Sequence, residues 1–385
     1  MIAILAALQL AALVLLAWRL APGWRRRPAV LPLPEGREGP SVSVVVATLN
    51  EARRIAPCLA GLHAQGAPLQ EVIVVDSHSS DGTDAMVREM AARDPRFRLV
   101  HDAPLPPGWV GKVWALQCGL AEATGEWVLG VDADTEPHRG MVAAVVRAAE
   151  ALRYDVVSFS PQFAGMTASE QWLQPSMLLT LVYRAGAAGV ADPSPDRVMA
   201  NGQCFLARRS VLLAHGGYEL ARASWADDVT LARALAARGV RVGFLEGSRL
   251  YKVRAYESVR QMWREWGRSF DLSDATTLRR QWSDVAFITL VQGLPWLVLA
   301  GAAMGRLPVG TLAGLALLRT SQVLVAIRIL MLFALWGSYE RRTMGYWLSP
   351  LSDPVAAWRL LLSTVRRPSA WRGRTFTLGS SRAAG

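Results

Sequence analysis

The chain of 385 residues is 52% apolar with a mean hydropathy of +0.21, which excludes an ordinary soluble polypeptide and makes membrane attachment the first expectation. Its net charge of +11 rests almost wholly on arginine, Lys112 and Lys252 being the only lysines; the basic residues flank apolar stretches, which fits anionic lipid headgroups and positive-inside topology and not nucleic acid. Cys58, Cys118 and Cys204 are odd in number, widely spaced and lack a CxxC pair, so no disulfide framework or zinc site is implied, which fits a reducing cytoplasm.

Residues 2–17 carry no charge, and Arg19, Arg25, Arg26 and Arg27 follow them. A cleaved signal peptide would carry its positive charge ahead of the apolar run and a small-residue cleavage site behind it, and neither is present. The expectation is a transmembrane anchor over residues 1–24, with the N-terminus outside and residue 25 onward in the cytoplasm. At about 1.5 Å per residue the run must extend through Trp18 and Trp24 to cross a hydrocarbon core of roughly 30 Å. Pro28, Pro32, Pro34 and Pro40 then stiffen a linker over residues 25–40.

Residues 41–253 look soluble. Ser41 to Ala47 and Glu71 to Val75 are short and β-branched, so they are predicted as buried strands, with a helix from Glu51 to Gln65 between them. Strand, helix and strand at that spacing make a βαβ unit and predict a parallel sheet. A further helix runs from Asp81-Gly82-Thr83 to Arg93, a strand from Arg98 to His101, and a helix from Val113 to Ala123. The next strand, from Gly125 to Val131, ends in Asp132-Ala133-Asp134, completing an α/β sandwich.

Ligands of such sheets sit at the carboxyl ends of strands, and polar groups collect there. Thr48, Asn50 and Glu51 follow the first strand; Asp76, Ser77, Ser79 and Asp81 follow the second; Asp132 and Asp134 follow the fourth. Each alone serves equally well as a helix cap or turn residue. Together they suggest a nucleotide site, because two carboxylates one residue apart suit a Mg²⁺ or Mn²⁺ ion that bridges phosphates. With neither GxGxxG nor GxxxxGK[ST] in the chain, a metal must replace a glycine-rich phosphate cradle.

On a helix across residues 254–280, Val259, Met262, Trp263, Trp266 and Phe270 form one apolar stripe, while Arg260, Arg264 and Arg268 recur every fourth residue. Two readings stand: a helix in the membrane interface, or one packed on its own domain with a solvated basic face. Val285 to Met304 is long enough for one span, with Pro295 a kink, and Val309 to Trp336 for another. The second contains Arg319 and Arg328 on nearly opposite sides; a central Arg costs about 2.5–3.5 kcal/mol on insertion scales, so each must face protein, headgroups or water. A transmembrane hairpin over 283–338 would return the basic tail, 339–385, to the cytoplasm, with Arg341, Arg342, Arg366, Arg367, Arg372 and Arg374. There Asp353-Pro354 caps a short helix whose Val355, Trp358, Leu361, Leu362 and Val365 make a second interfacial stripe.

Five motifs together resemble the inverting family 2 glycosyltransferases of GT-A fold: Val44-Val45-Val46-Ala47-Thr48-Leu49-Asn50-Glu51; Val74-Val75-Asp76-Ser77 with Asp81-Gly82-Thr83; Gly111-Lys112; the Asp132 triplet; and Trp225-Ala226-Asp227-Asp228 with Leu231. The resemblance covers roughly residues 41–275 and implies a Rossmann-like nucleotide-diphospho-sugar transferase domain at 41–253. It implies that Thr48, Asn50, Glu51 and Asp81 lie in the nucleotide-binding loops, that Asp76 reads the nucleobase, and that Lys112 lies near the nucleotide. Asp132 would face the ribose or the metal, and Asp134 would hold the metal on the diphosphate. Asp228 is then the catalytic base and Asp227 its support, where the family more often has Glu-Asp. Asn201-Gly202-Gln203 resembles the loop lining the donor sugar and acceptor, and Gln261, Arg264 and Trp266 resemble a QxxRW element with one residue inserted.

Few spans and a cytoplasmic sugar-transfer domain suit an acceptor dissolved in the bilayer and disfavour a polysaccharide-conducting synthase. Pro104 to Leu116 and Trp371-Arg372-Gly373-Arg374 resemble variants in bacterial members linked to carotenoid and hopanoid pathways. The expected activity is transfer of a hexose, glucose from UDP-glucose, with inversion onto a carotenoid hydroxyl at the inner membrane's cytoplasmic face. Alternatives are a hopanoid, polyprenyl phosphate or other glycolipid acceptor, a membrane-bound sugar nucleotidyltransferase, or an inactive membrane scaffold.

Overall fold

The computed structural model describes residues 1–33, 39–191, 193–254, 256, 258–366, 370–371 and 374–375. Pro34 of the predicted linker, Ala255 and Glu257, and Arg367, Arg372 and Gly373 of the tail lie outside the described residues. The chain forms two compact units, one of Arg27–Gln162, Ala191–Arg254 and Ser369–Gly385, the other of Met1–Arg26, Phe163–Val190 and Ala255–Pro368.

The first unit is built on strands β1 (Val42–Thr48), β2 (Leu69–Asp76), β3 (Phe97–His101), β4 (Trp127–Gly130), β5 (Thr135–Pro137), β6 (Val156–Ser160), β7 (Gln162–Phe163), which leads out of the unit, β8 (Phe205–Arg208), β9 (Val242–Glu246) and β10 (Tyr251–Val253). Seven of them make one sheet in the order β3-β2-β1-β4-β8-β6-β9. Val44, Val45 and Val46 of β1 and Val72, Ile73, Val74 and Val75 of β2 are fully buried, as a sheet covered on both faces requires. Helices Ile55–His63, Thr83–Arg93 and Gly111–Glu122 connect the first four strands, which run parallel. β8 instead runs antiparallel to both β4 and β6, so the predicted all-parallel sheet is mixed. The chain leaves from the carboxyl end of β6 and comes back at that same end, where Phe205 pairs with Ser158, and a return without a crossover reverses the strand.

The second unit is helical. Ile2–Leu20, Ala168–Ala185, Val259–Phe270, Leu278–Ile288, Leu294–Ala303, Leu312–Ala334, Met344–Leu348 and Asp353–Val365 surround a core that includes Met177, Tyr183, Met262, Trp266, Ile288, Leu324, Tyr346 and Leu360. Among the described residues three helices are long and apolar enough to cross a membrane: Ile2–Arg25, Leu278–Ala303 and Leu312–Ala334. The middle one begins before the predicted 283 and carries a π-helical turn, Thr289–Gly293, immediately ahead of Pro295. Residues 163–190, which the sequence places within 41–253, pack with these helices, because Leu173, Met177, Leu179 and Tyr183 fill the helical core.

The two amphipathic stripes end differently. Met262, Trp266 and Phe270 are buried, so the interfacial reading of the 259–270 stripe gives way to packing inside its own unit. The Arg359 guanidinium seals that helix, donating from Nε to the Trp263 carbonyl at 2.8 Å. In Asp353–Val365 the buried face is Ala356, Ala357, Leu360 and Ser363, while Trp358 is 56% and Val365 60% exposed. Of the two arginines on Leu312–Ala334, Arg319 is exposed and Arg328 is buried, its Nε donating to both Asp353 carboxylate oxygens at 2.9 and 3.0 Å and its Nη2 to Ser176 and Ser349.

Candidate active site

At the carboxyl ends of β1 and β2 two loops are stitched together. Asp76 is fully buried, and its carboxylate accepts from Thr48 Oγ1 at 3.0 Å and from Ser79 Oγ and N at 2.6 and 2.8 Å. Asn50, in the left-handed region at φ 56°, donates its N–H to Ser79 Oγ and accepts from the Ser80 N–H. The Glu51 N–H reaches Thr83 Oγ1 at 2.8 Å, and Asp81 accepts from the Ala52 N–H and the Thr83 hydroxyl. Burial would raise the Asp81 pKa, but these donors outweigh it and hold the carboxyl below its ordinary value. Thr48, Asp76 and Asp81 therefore shape the loops through bonds inside the protein, while Asn50 stays exposed.

The acids past β4 and those at the start of helix Asp227–Ala236 meet around Lys112, on the first turn of helix Gly111–Glu122. Lys112 Nζ donates to Asp132 Oδ1 at 2.8 Å. Burial opposes its charge, but Asp132, Asp227 and Asp228 outweigh burial and raise its pKa. Asp228 Oδ2 accepts the Gly202 N–H at 2.7 Å and Oδ1 the Val229 N–H at 2.8 Å. A Cβ on Gly202 would stand 3.1 Å from Lys112 Nζ, a tight approach, and 3.7 Å from Asp228, an ordinary contact, so glycine leaves the ammonium room beside the base. Asn201 and Gln203 brace the turn through an Asn201 Nδ2 to Gln203 Oε1 bond at 3.1 Å. A small recess beside Asp227 and Asp228 is lined by Leu116, Gly202, Phe205 and Tyr218.

Burial, and then the Asp227 charge, push the Asp228 carboxyl up to about 7. Asp227 is also raised by burial, with Lys112 pulling against the shift. Burial followed by the Asp132 charge raises Asp134 to about 7, and its Oδ1 is buried with no hydrogen-bond partner among the described residues. An orphaned carboxylate oxygen beside a second carboxylate fits a divalent cation. No group of three or more His, Cys, Asp or Glu is gathered for a metal among the described residues.

Gln261, Arg264 and Trp266 belong to the helical unit. There the Gln261 N–H is capped by Ser258 Oγ, Arg264 is exposed, and Trp266 is 4% exposed with its ring edge-on to Phe270. The sequence missed Arg54 and Tyr218. Arg54 lies 3.5 Å from Glu51 and acts on Asp134, a role that its spacing of three from Glu51 could have signalled; nothing in the sequence marked Tyr218.

Residues 43–216 match the profile of Glycosyl transferase family 2. The chain carries a family 2 glycosyltransferase domain. An N-acetylglucosaminyltransferase of Mesorhizobium japonicum is 34% identical over 188 residues, 47% of this chain and 42% of that protein. A 4,4'-diaponeurosporenoate glycosyltransferase of Staphylococcus haemolyticus is 24% identical over 226 residues, 58% of this chain and 59% of that protein. The chain thus spans less than two thirds of either relative's length. Among solved structures, the mannosyltransferase PcManGT of Pyrobaculum calidifontis, in complex with GDP-Man and Mn²⁺, superposes with a TM-score of 0.58 at 23% identity, covering 95% of this chain and 98% of that one. The fold is GT-A with one apolar helix at the N-terminus and two toward the C-terminus.

Proposed function

We propose that this glycosyltransferase moves a hexose from a nucleotide diphosphate sugar, UDP-glucose foremost, with inversion onto a hydroxyl of a membrane-embedded isoprenoid lipid, a carotenoid foremost. The observation that carries the proposal is the convergence of Asp228, Asp227 and Asp132 around Lys112. Asp228, fixed by two backbone N–H groups and raised to about 7, is matched to a general base working near neutrality. It takes the acceptor hydroxyl's proton as that oxygen bonds to the anomeric carbon; the bond from that carbon to the diphosphate breaks, and its electron pair leaves on the diphosphate oxygen. Asp227 supports Asp228, and Lys112 offers its ammonium to the diphosphate. Asp134 with Asp132 would hold Mg²⁺ or Mn²⁺, which supplies charge neutralisation on the departing diphosphate. Thr48, Asn50, Glu51, Asp76 and Asp81 would shape the nucleotide pocket, and Asn201 and Gln203 the sugar side.

The lipid acceptor is supported by the three apolar helices and by the staphylococcal relative's name. The same helices and the arginine distribution support a multi-pass protein whose glycosyltransferase domain works on the cytoplasmic face of the cell membrane, against anionic headgroups. The test is incubation of membranes carrying the protein with labelled UDP-glucose or GDP-mannose and with carotenoid, hopanoid or polyprenyl phosphate. Label should enter one lipid with wild type and fall to background with Asp228→Asn and Asp134→Ala. Full activity in both variants would sink the residue roles, and no labelled lipid with either donor would sink the function.

A further inference from the structure

Lys112 Nζ is bonded to Asp132 Oδ1 at 2.8 Å, and neither side chain is deeply exposed, at 23% and 29%. On the same turn Asp134 Oδ1 is buried without a hydrogen-bond partner among the described residues. The two carboxylates that suit a cation are thus unequal, one open and one held by a competing positive charge. Gly202 leaves room beside that ammonium, since a Cβ there would stand 3.1 Å from Nζ. Asp227 and Asp228 also act on the ammonium, and the other cation acting on Asp134, Arg54, sits 3.5 Å from Glu51.

We propose that Lys112 is a positioning residue that holds Asp132 away from the divalent cation until a diphosphate draws its ammonium off, so that cation and nucleotide bind as a coupled pair. The inference rests on the nucleotide-sugar reading of the site. A cation that seeks Asp132 in the empty site must displace a like charge from a formed ion pair. An arriving diphosphate would offer Lys112 a new anionic partner, and Asp132 would then be free to join Asp134 in holding the cation. The exchange keeps every charge partnered, whereas cation alone or nucleotide alone leaves one charge without its partner. Coupling of this kind is reciprocal: whatever factor the nucleotide adds to cation affinity, the cation adds to nucleotide affinity.

The test is binding of Mn²⁺, followed by the paramagnetic resonance of the free ion, to wild type, Lys112→Met, Lys112→Gln, Lys112→Arg and Arg54→Met, each without nucleotide and with saturating UDP. Without nucleotide, Lys112→Met and Lys112→Gln should bind Mn²⁺ about tenfold tighter than wild type, and the strengthening due to UDP should shrink by a similar factor. Lys112→Arg should behave as wild type, and Arg54→Met should gain far less than Lys112→Met. Unchanged Mn²⁺ affinity in the Met and Gln variants, with UDP still strengthening binding in wild type, overturns the inference. So does an equal gain in Arg54→Met, which would reduce the effect to net charge. Wild type that binds no Mn²⁺ even with UDP or GDP refutes the proposed function itself, a separate outcome.

Discussion

At the scale of single residues, Asp228 gives the sharpest expectation. Burial and the neighbouring Asp227 hold its proton on up to about pH 7, so the base is disabled below that pH and freed above it. Turnover should climb as pH rises through neutrality, and a base of this kind contributes about 10²–10⁴-fold, which Asp228→Asn should remove together with the pH limb. A profile unchanged by the substitution would assign the proton elsewhere. Gly202→Ala places a methyl 3.1 Å from Lys112 Nζ, and kcat should fall about tenfold with little change in melting temperature. The acids were legible because they cluster at strand ends, where ligands of α/β sheets sit. Their division of labour was not: nothing in the sequence tells that Asp76 and Asp81 spend their oxygens on Thr48, Ser79, Ala52 and Thr83. Nor does it tell that Asp134 keeps an oxygen free.

At the scale of elements, the stripes of Val259–Phe270 and Asp353–Val365 read alike, since an apolar helical face suits a protein core or a lipid interface equally. What separates them is the partner, which a one-dimensional pattern does not carry. Met262→Ala should cost about 2–5 kcal/mol of stability, read by thermal unfolding in detergent, because Met262 is fully buried. Trp358→Ser should leave unfolding unchanged and weaken binding to anionic vesicles, because Trp358 is 56% exposed. Arg328 was legible as a residue that must find a partner, though not that the partner is Asp353. Arg328→Met alone strands a buried carboxylate and should cost about 3–5 kcal/mol, whereas the double variant Arg328→Met with Asp353→Leu should recover most of the loss. Equal losses in the single and double variants would argue against that pair as the source.

At the scale of the whole molecule, the linear layout of anchor, linker, domain and hairpin captured the three apolar helices but not the interleaving of the chain. Residues 163–190 leave the α/β unit, fill a helical core with Met177 and Tyr183, and return to form β8. Ala168–Ala185 mixes Gln171, Gln174, Ser176 and Arg184 with its apolar residues, a composition that reads as a surface helix of a soluble domain, yet all four are buried, and Gln171, Ser176 and Arg184 bond within the protein. The antiparallel β8 follows from the same excursion. A chain cut after Arg254 loses most partners of 163–190 and should aggregate, read by size-exclusion chromatography against the full chain. The central claim, an inverting transfer onto a lipid hydroxyl by a single displacement, is tested most directly by nuclear magnetic resonance of the lipid product made from UDP-glucose. Because glucose is α-linked in that donor, a β-glucoside is predicted, and an α-glucoside, or free glucose as the sole product, would contradict the account.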